Sequence, residues 1–335
     1  MAKKAILLVN LGTPDSPSTK DVRRYLSEFL NDPFVIDINP IGRALLVNCI
    51  IVPFRGPKSA KVYKQLWTPE GSPLMVYGKK VREKLQTKVG EKAKVYLAMR
   101  YQNPSMDVVL EEMEKEQFDE VTVIPLFPQY STACTETIFV KLKKLIANWT
   151  HKPHFKYVEQ FYDHPLFTDT FVERAKEFNL NEYDHILFSY HGLPKRQLSK
   201  LYEGDTVCED VNCQTEINTN NAKCYQATCY ATSRLLAEKL NLREEDYTVT
   251  FQSRLGRGWV EPFTDKTAMK LADEGAKRIL VFCPAFVADC LETTIEIGVE
   301  LQEEFEEHGG EKVQLVPSLN EHDMFIDLLE NLASN

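Results

Sequence analysis

The chain has 335 residues, room for two domains or one large α/β unit, and its 43% hydrophobic and 27% charged residues are those of an ordinary soluble globular protein. A net charge of −9 with no basic stripe argues against nucleic acid as a partner. Met1-Ala2-Lys3-Lys4 leads straight into a strand pattern, which predicts no secretory leader.

The first strand is predicted over Ala5–Asn10 and breaks at Leu11-Gly12-Thr13-Pro14. Ser18 to Val22 offers a cap for a helix carrying Tyr25, Leu26 and Phe29. The longest apolar run follows, Ala44 to Phe54, bracketed by Arg43 and Arg55. It falls well short of the about 20 residues of a membrane span, and it reads either as a buried core helix or as a greasy lip dipping into a membrane surface. A turn-rich loop over 68–73 precedes a helix from Val76 to Lys88, a strand over Val95–Met99 ending in Arg100-Tyr101, a helix over Asp107–Glu116, and a strand over Val121–Leu126 closed by Phe127 to Ser131.

The second half repeats this plan. Ile186–Tyr190 ends in His191-Gly192-Leu193-Pro194, Tyr247–Phe251 ends in Gln252-Ser253-Arg254, and Ile279–Phe282 is stopped by Pro284. A helical pattern follows with acids at Asp289, Glu292, Glu296 and Glu300, three and four residues apart and so on one helix face. A final helix spans Asp323 to Leu332. The expected fold is α/β: two similar Rossmann-like halves, residues 1–157 and 158–335, each with a parallel sheet, facing one another across a cleft. The apolar run belongs to the first half; the histidine, the acidic helix and a cysteine-rich arm belong to the second.

Polar residues at the carboxyl ends of parallel strands are where open α/β sheets put their chemistry. His191 stands at such an end, with an imidazole able to accept a proton near neutral pH. An isolated acidic ladder also describes a solvated helix face; a ladder with a base nearby makes a track for protons or a cation. Tyr101, Phe127, Tyr130, Phe251, Trp259, Phe263 and Phe286 lie at or just beyond strand ends, which suits a large flat apolar ligand, and Arg100, Arg254 and Arg257 suit its carboxylates. No phosphate-cradling glycine loop is present.

The motifs LLVNLGTPDS (Leu7 to Ser16), GSPL (Gly71 to Leu74), FPQYS (Phe127 to Ser131), SYHGLP (Ser189 to Pro194), FQSRLGRGWVEPFTD (Phe251 to Asp265) and ADCLETTIEI (Ala288 to Ile297) resemble those of the ferrochelatases over nearly the whole chain. The resemblance implies insertion of Fe²⁺ into protoporphyrin IX, the last step of haem formation, by a cytoplasmic monomer or homodimer held peripherally on the inner face of the membrane. It implies that His191 is the essential histidine and Glu292 the carboxylate opposite it, the two residues that meet the Fe²⁺ substrate. Asp289 and Glu296 extend the track, and Arg100-Tyr101 match an Arg-Tyr pair on the cleft wall, where Tyr130, Trp259 and Phe286 also belong. Other members carry histidine where Cys290 stands. A chelatase for coproporphyrin III or another metal, and a non-catalytic porphyrin or haem carrier, are the alternatives.

Eight cysteines without a leader point to a reducing compartment and against disulfides. Four of them fall in one polar segment, Cys208, Cys213, Cys224 and Cys229, which lacks the apolar residues to fold alone. A thiolate-bound metal would stabilise it, and four cysteines suit tetrahedral zinc or a [2Fe–2S] cluster, though neither pair has the C-x2-C spacing of zinc ribbons. The arm is similar to the internal cysteine-bearing segment of a subset of bacterial ferrochelatases, which implies [2Fe–2S].

Overall fold

A computed structural model describes residues 2–202, 208–254, 256 and 258–334. Each half of the chain builds a four-stranded parallel sheet. The first contains β1 (Lys4–Asn10), β2 (Lys94–Met99), β3 (Glu120–Pro125) and β4 (His154–Tyr157) in the order β2-β1-β3-β4. The second contains β5 (His185–His191), β6 (Tyr247–Gln252), β7 (Arg278–Phe282) and β8 (Lys312–Leu315) in the order β6-β5-β7-β8. Adding four to every label of the first order gives the second, so one winding is used twice.

Six of these strands are the apolar runs read from the sequence, each within a residue or two. Sheets covered by helices on both faces demand side chains that are apolar on both faces, and β1 beyond Lys4 is buried at every position. In the second sheet Phe188 and Phe282 face each other across β5 and β7 with ring centroids 5.3 Å apart, and Phe171 packs on Phe282 at 6.4 Å. Burying each such ring contributes on the order of 1.5–3 kcal/mol. The edge strands β4 and β8 have four residues each and are partly exposed, and no apolar run announces them.

The chain divides into two compact units. One comprises the chain up to Leu126, Thr132–Glu159 and the last residues from Leu329; the other comprises Phe127–Ser131 and Gln160–Leu328. In the first, the Ser18 hydroxyl accepts the Asp21 N–H at 3.2 Å and opens the helix Thr19–Leu30 as expected. The apolar run becomes a continuous helical stretch, α over Pro40–Leu45, π over Leu46–Ile51 and α over Val52–Leu66. Among the described residues no helix is long and apolar enough to cross a membrane.

Two glycines set the exits of the central strands. Gly12 follows β1 with φ +117°, and a Cβ there would lie 2.0 Å from the Tyr101 carbonyl oxygen. Gly192 follows β5, and its Cβ would lie 2.8 Å from the Gln252 carbonyl oxygen and 3.3 Å from the Trp259 ring. In both sheets the backbone leaving the central strand is pressed against the exit of its neighbour.

The acidic segment after β7 is not the α-helix its spacing suggests. Leu291–Leu301 is a π-helix of eleven residues, continued by an α-helical turn over Gln302–Glu307. Its sequence gives a local reason: Thr293, Thr294, Ile295, Ile297 and Val299 are β-branched and Gly298 is flexible, all weak α formers. π-Helical segments occur mostly as single turns and often at functional sites, so a run of this length needs support from outside itself.

Candidate active site and thiol group

The winding of the second sheet makes a switch point between β5 and β7, because the connection leaving β5 runs to one side and that leaving β7 to the other. His191 is the last residue of β5, and the π-helix follows the exit of β7. The His191 Nδ1–H donates to the Gly192 carbonyl at 2.7 Å. A carbonyl only accepts, so the neutral ring carries its proton on Nδ1 and its lone pair on Nε2. The Tyr225 hydroxyl donates to the His191 carbonyl at 3.0 Å, the Phe286 ring lies 6.4 Å from the imidazole, and Trp259 packs on Gly192.

Gln252 ties the π-helix to this exit. Its Nε2 donates to the Glu292 carbonyl at 2.7 Å, and its Oε1 accepts from the Ser189 hydroxyl at 2.7 Å and the Cys283 thiol at 3.7 Å. One buried amide thus bridges the ends of β5, β6 and β7 and the first turn of the π-helix.

The acidic ladder divides into three. Asp289 is a fastener: it accepts from the Ser318 N–H at 3.1 Å, the Thr293 hydroxyl at 3.3 Å and Asn320 Nδ2 at 2.7 Å, holding the loop ahead of the last helix. Glu296 is the member of the ladder whose electrostatics involve both His191 and Glu292. Burial pushes the Glu296 carboxyl above its ordinary range and Glu292 adds to this, while Ser253 and His191 draw it down. Glu300 is exposed. Cys290, which precedes the helix, is buried, and burial with the neighbouring Glu292 carboxylate pushes its thiol up, so it stands as a neutral S–H.

The expected aromatic and arginine partners fare differently. Trp259 and Phe286 are half-buried beside His191. Tyr130 is buried, with Lys223 Nζ 5.7 Å from its ring centroid. In the first unit, Tyr101 is wholly buried and its hydroxyl donates to Asp32 Oδ2 at 3.0 Å, so it offers a ligand no surface. Arg100 is paired with the same carboxylate, donates from Nε to Thr137 Oγ1 at 2.8 Å and stacks 4.5 Å over the Tyr101 ring. A buried carboxylate needs a cation and donors, and Arg100, Tyr101 and Thr137 supply them. Arg100, expected to meet a ligand carboxylate, is here engaged by Asp32. Arg254 is likewise engaged, paired with Asp265 and lying 4.3 Å over the Phe263 ring. Arg257 lies outside the described residues.

Of the four clustered cysteines, Cys208, Cys213 and Cys224 have sulfurs within 4.8 Å of one another, with Cys224 Sγ 3.5 Å from Cys208 Sγ and 3.6 Å from Cys213 Sγ. The polar residues of the arm are its stitching: Asn221 Nδ2 donates to the Val211 and Glu216 carbonyls at 2.9 and 3.0 Å, and Asn218 Nδ2 to the Val211 carbonyl at 3.2 Å. Hydrogen bonds from Cys208 and Cys213 pull the Cys224 thiol below its ordinary range, while the same group of contacts pushes the Cys208 thiol up. The Tyr202 hydroxyl lies 3.1 Å from Cys213 Sγ. Cys229 does not join them. Cys224 caps the helix Tyr225–Lys239, and five residues on, at 3.6 residues per turn, is about 140° round its axis, so Cys229 points into the core and is fully buried.

Comparison with solved structures first gives the class. Over 99% of this chain, SirB of Bacillus subtilis determined with Fe³⁺ superposes with a TM-score of 0.55 at 12% identity, covering 96% of that chain. The sirohydrochlorin chelatase SirB of Bacillus subtilis subspecies spizizenii, determined with cobalt, gives 0.54 at 10% identity and 94% coverage. At such identities the likeness is one of fold, the two-domain chelatase fold. The sequence gives the family: the ferrochelatase model matches residues 3–335, a ferrochelatase of Coxiella burnetii strain Dugway is 43% identical over 99% of this chain and 93% of its own, and one of Legionella pneumophila strain Lens is 42% identical over 99% of both. The chain belongs to the ferrochelatase family, enzymes of the metal-chelatase class of lyases.

Proposed function

We propose that this chain inserts Fe²⁺ into protoporphyrin IX, with His191 and Glu292 acting at the pyrrole nitrogens and Glu296 extending the polar track. The observation that carries the reading is the Nε2 lone pair of His191 at the β5–β7 switch point, in electrostatic company with Glu296 of the π-helix, which in turn interacts with Glu292. Two pyrrole N–H protons leave as one Fe²⁺ enters, so the site needs an acceptor and a path away from it. His191 takes up one proton at Nε2, and the raised affinity of Glu296 for protons suits it to pass one on. Phe286 and Trp259 offer the ring an apolar wall beside the base. Asp289 is better placed to hold the π-helix than to carry protons. Porphyrin fluorescence, followed without oxygen, should fall on adding Fe²⁺ as the metal enters, and the rate should be higher with protoporphyrin IX than with coproporphyrin III. Quenching that is reversed by an iron chelator would make the protein a carrier, and the reverse preference would make coproporphyrin its substrate.

The helical stretch from Pro40 leaves Ile41, Leu45, Ile50 and Phe54 from 55% to 75% exposed while Val47 and Val52 turn inward. That supports the lip reading over the core-helix reading, and we propose that the lip holds the chain peripherally on the cytoplasmic face of a membrane. Ile50→Ser with Phe54→Ser should lower sedimentation with liposomes and leave the melting temperature within a few degrees, because neither side chain is in the core. A large drop in melting temperature would return the segment to the core.

We further propose that Cys208, Cys213 and Cys224 are ligands of a thiolate-bound metal centre. A tetrahedral ion with Zn–S bonds of about 2.3 Å sets its sulfurs about 3.8 Å apart, close to the 3.5 and 3.6 Å from Cys224 Sγ to the other two. The [2Fe–2S] cluster implied by the resemblance takes three of its four thiolates from this group, and Cys229 is the remaining cysteine of the segment. Such a centre would hold the arm together, as the reaction transfers no electrons.

A further inference from the structure

We infer that Ser253 is the positioning residue for the Glu296 carboxylate, holding both of its oxygens in one orientation from a left-handed backbone conformation. The inference rests on the chelatase reading given above. Ser253 leaves β6 with φ +63°, a region that residues with a Cβ enter at a cost and keep only where their surroundings insist. The neighbours insist here. Gln252 before it is held by the Gly192 N–H on its carbonyl at 2.8 Å and by its side-chain bridge to Glu292, and Arg254 after it is paired with Asp265. The consequence is that two donors of one residue converge on one carboxylate: the Ser253 N–H reaches Glu296 Oε1 at 2.7 Å and the Ser253 hydroxyl reaches Oε2 at 2.5 Å.

Asp289 too has both oxygens held, Oδ1 by the Ser318 N–H and the Thr293 hydroxyl and Oδ2 by Asn320 Nδ2, but no one residue holds both. Those three residues serve a loop, and Glu300 faces solvent. Glu296 has His191 and Glu292 within electrostatic reach and also lines a cavity of about 240 Å³ with Gln252, Ser253, Arg254, Asp265 and Glu300. A carboxylate held at both oxygens keeps its outer lone pairs in fixed directions, whereas a free one rotates about its terminal bond. Fixing that direction serves a small cation or proton handed along the track and has no bearing on how the porphyrin docks.

The test is a double-mutant cycle in kcat/KM for Fe²⁺ at saturating porphyrin. Ser253→Ala removes the hydroxyl donor and should cost about tenfold, the usual effect of one hydrogen bond to a charged group, with KM for porphyrin unchanged. Ser253→Gly should lose as much activity while melting no lower than the natural chain, because glycine takes positive φ freely. On a Glu296→Ala background Ser253→Ala should change nothing further. An equal loss on that background, or full activity in Ser253→Ala, overturns the proposal. A natural chain that inserts no iron fails the chelatase reading instead, and the infrared bands of the Glu296 carboxylate, identified by their absence in Glu296→Ala, still decide: they shift in Ser253→Ala if Ser253 holds the group and stay if it does not.

Discussion

His191→Ala is expected to lose about 10²- to 10⁴-fold in turnover, the range over which a positioned general base acts, while porphyrin still binds. The base is defined by its hydrogen bond: Nδ1 is committed to the Gly192 carbonyl, so Nε2 is the basic nitrogen, and its direction is set by the end of a strand whose interior is buried. Alanine removes that nitrogen and leaves the apolar surfaces that dominate porphyrin affinity. Anaerobic turnover measured beside a fluorescence titration separates the two effects, and added imidazole should recover part of the rate. Glu292→Gln should also be strongly impaired and Glu300→Gln, exposed further along the helix, nearly normal. Turnover of His191→Ala within a few-fold of the natural chain would remove the histidine from the chemistry. Equal rates for the two glutamate variants would make the helix face merely solvated.

The positions of His191 and Glu292 in the fold were legible because topology does part of the placing: a polar residue just after a buried apolar run, in a parallel sheet, lies at the edge where crevices form. The six long strands were legible for the same reason, since full burial writes an unbroken apolar run. Features that depend on a single spatial neighbour were not. Spacings of three and four between acids fit a helix face but carry no sign of the i→i+5 pattern that Leu291–Leu301 adopts. Asp32 is indistinguishable in sequence from a surface turn residue, yet it is buried and engages both Arg100 and Tyr101. Gln252 and Ser253 stand in a motif that could be noticed, but the bridge of one and the left-handed turn of the other follow from how β5, β6 and the π-helix meet. The segment offers four cysteines to a metal; three of their sulfurs converge, and helix geometry turns Cys229 into the core.

That division shapes the second large effect, on the metal centre. Protein purified without oxygen is expected to be coloured and to contain iron and acid-labile sulfide, and serine at Cys208, Cys213 or Cys224 should each bleach it. The three sulfurs converge from a 3₁₀ turn, the loop after it and a helix N-cap, so no single backbone element holds the group together and each ligand matters. Cys224 has the largest expected effect, because it touches both of the other sulfurs. Serine at Cys229 tells the form of the centre: a four-thiolate [2Fe–2S] cluster needs it and bleaches, whereas a single ion held by three thiolates does not. Recruiting Cys229 would require the first turn of the helix Tyr225–Lys239 to rearrange, so a cluster-loaded protein should show altered amide-exchange protection over that turn relative to the metal-free chain. A colourless protein with neither iron nor sulfide but one zinc per chain makes the site a single-ion staple, and one with no metal at all leaves three packed thiols and removes the centre.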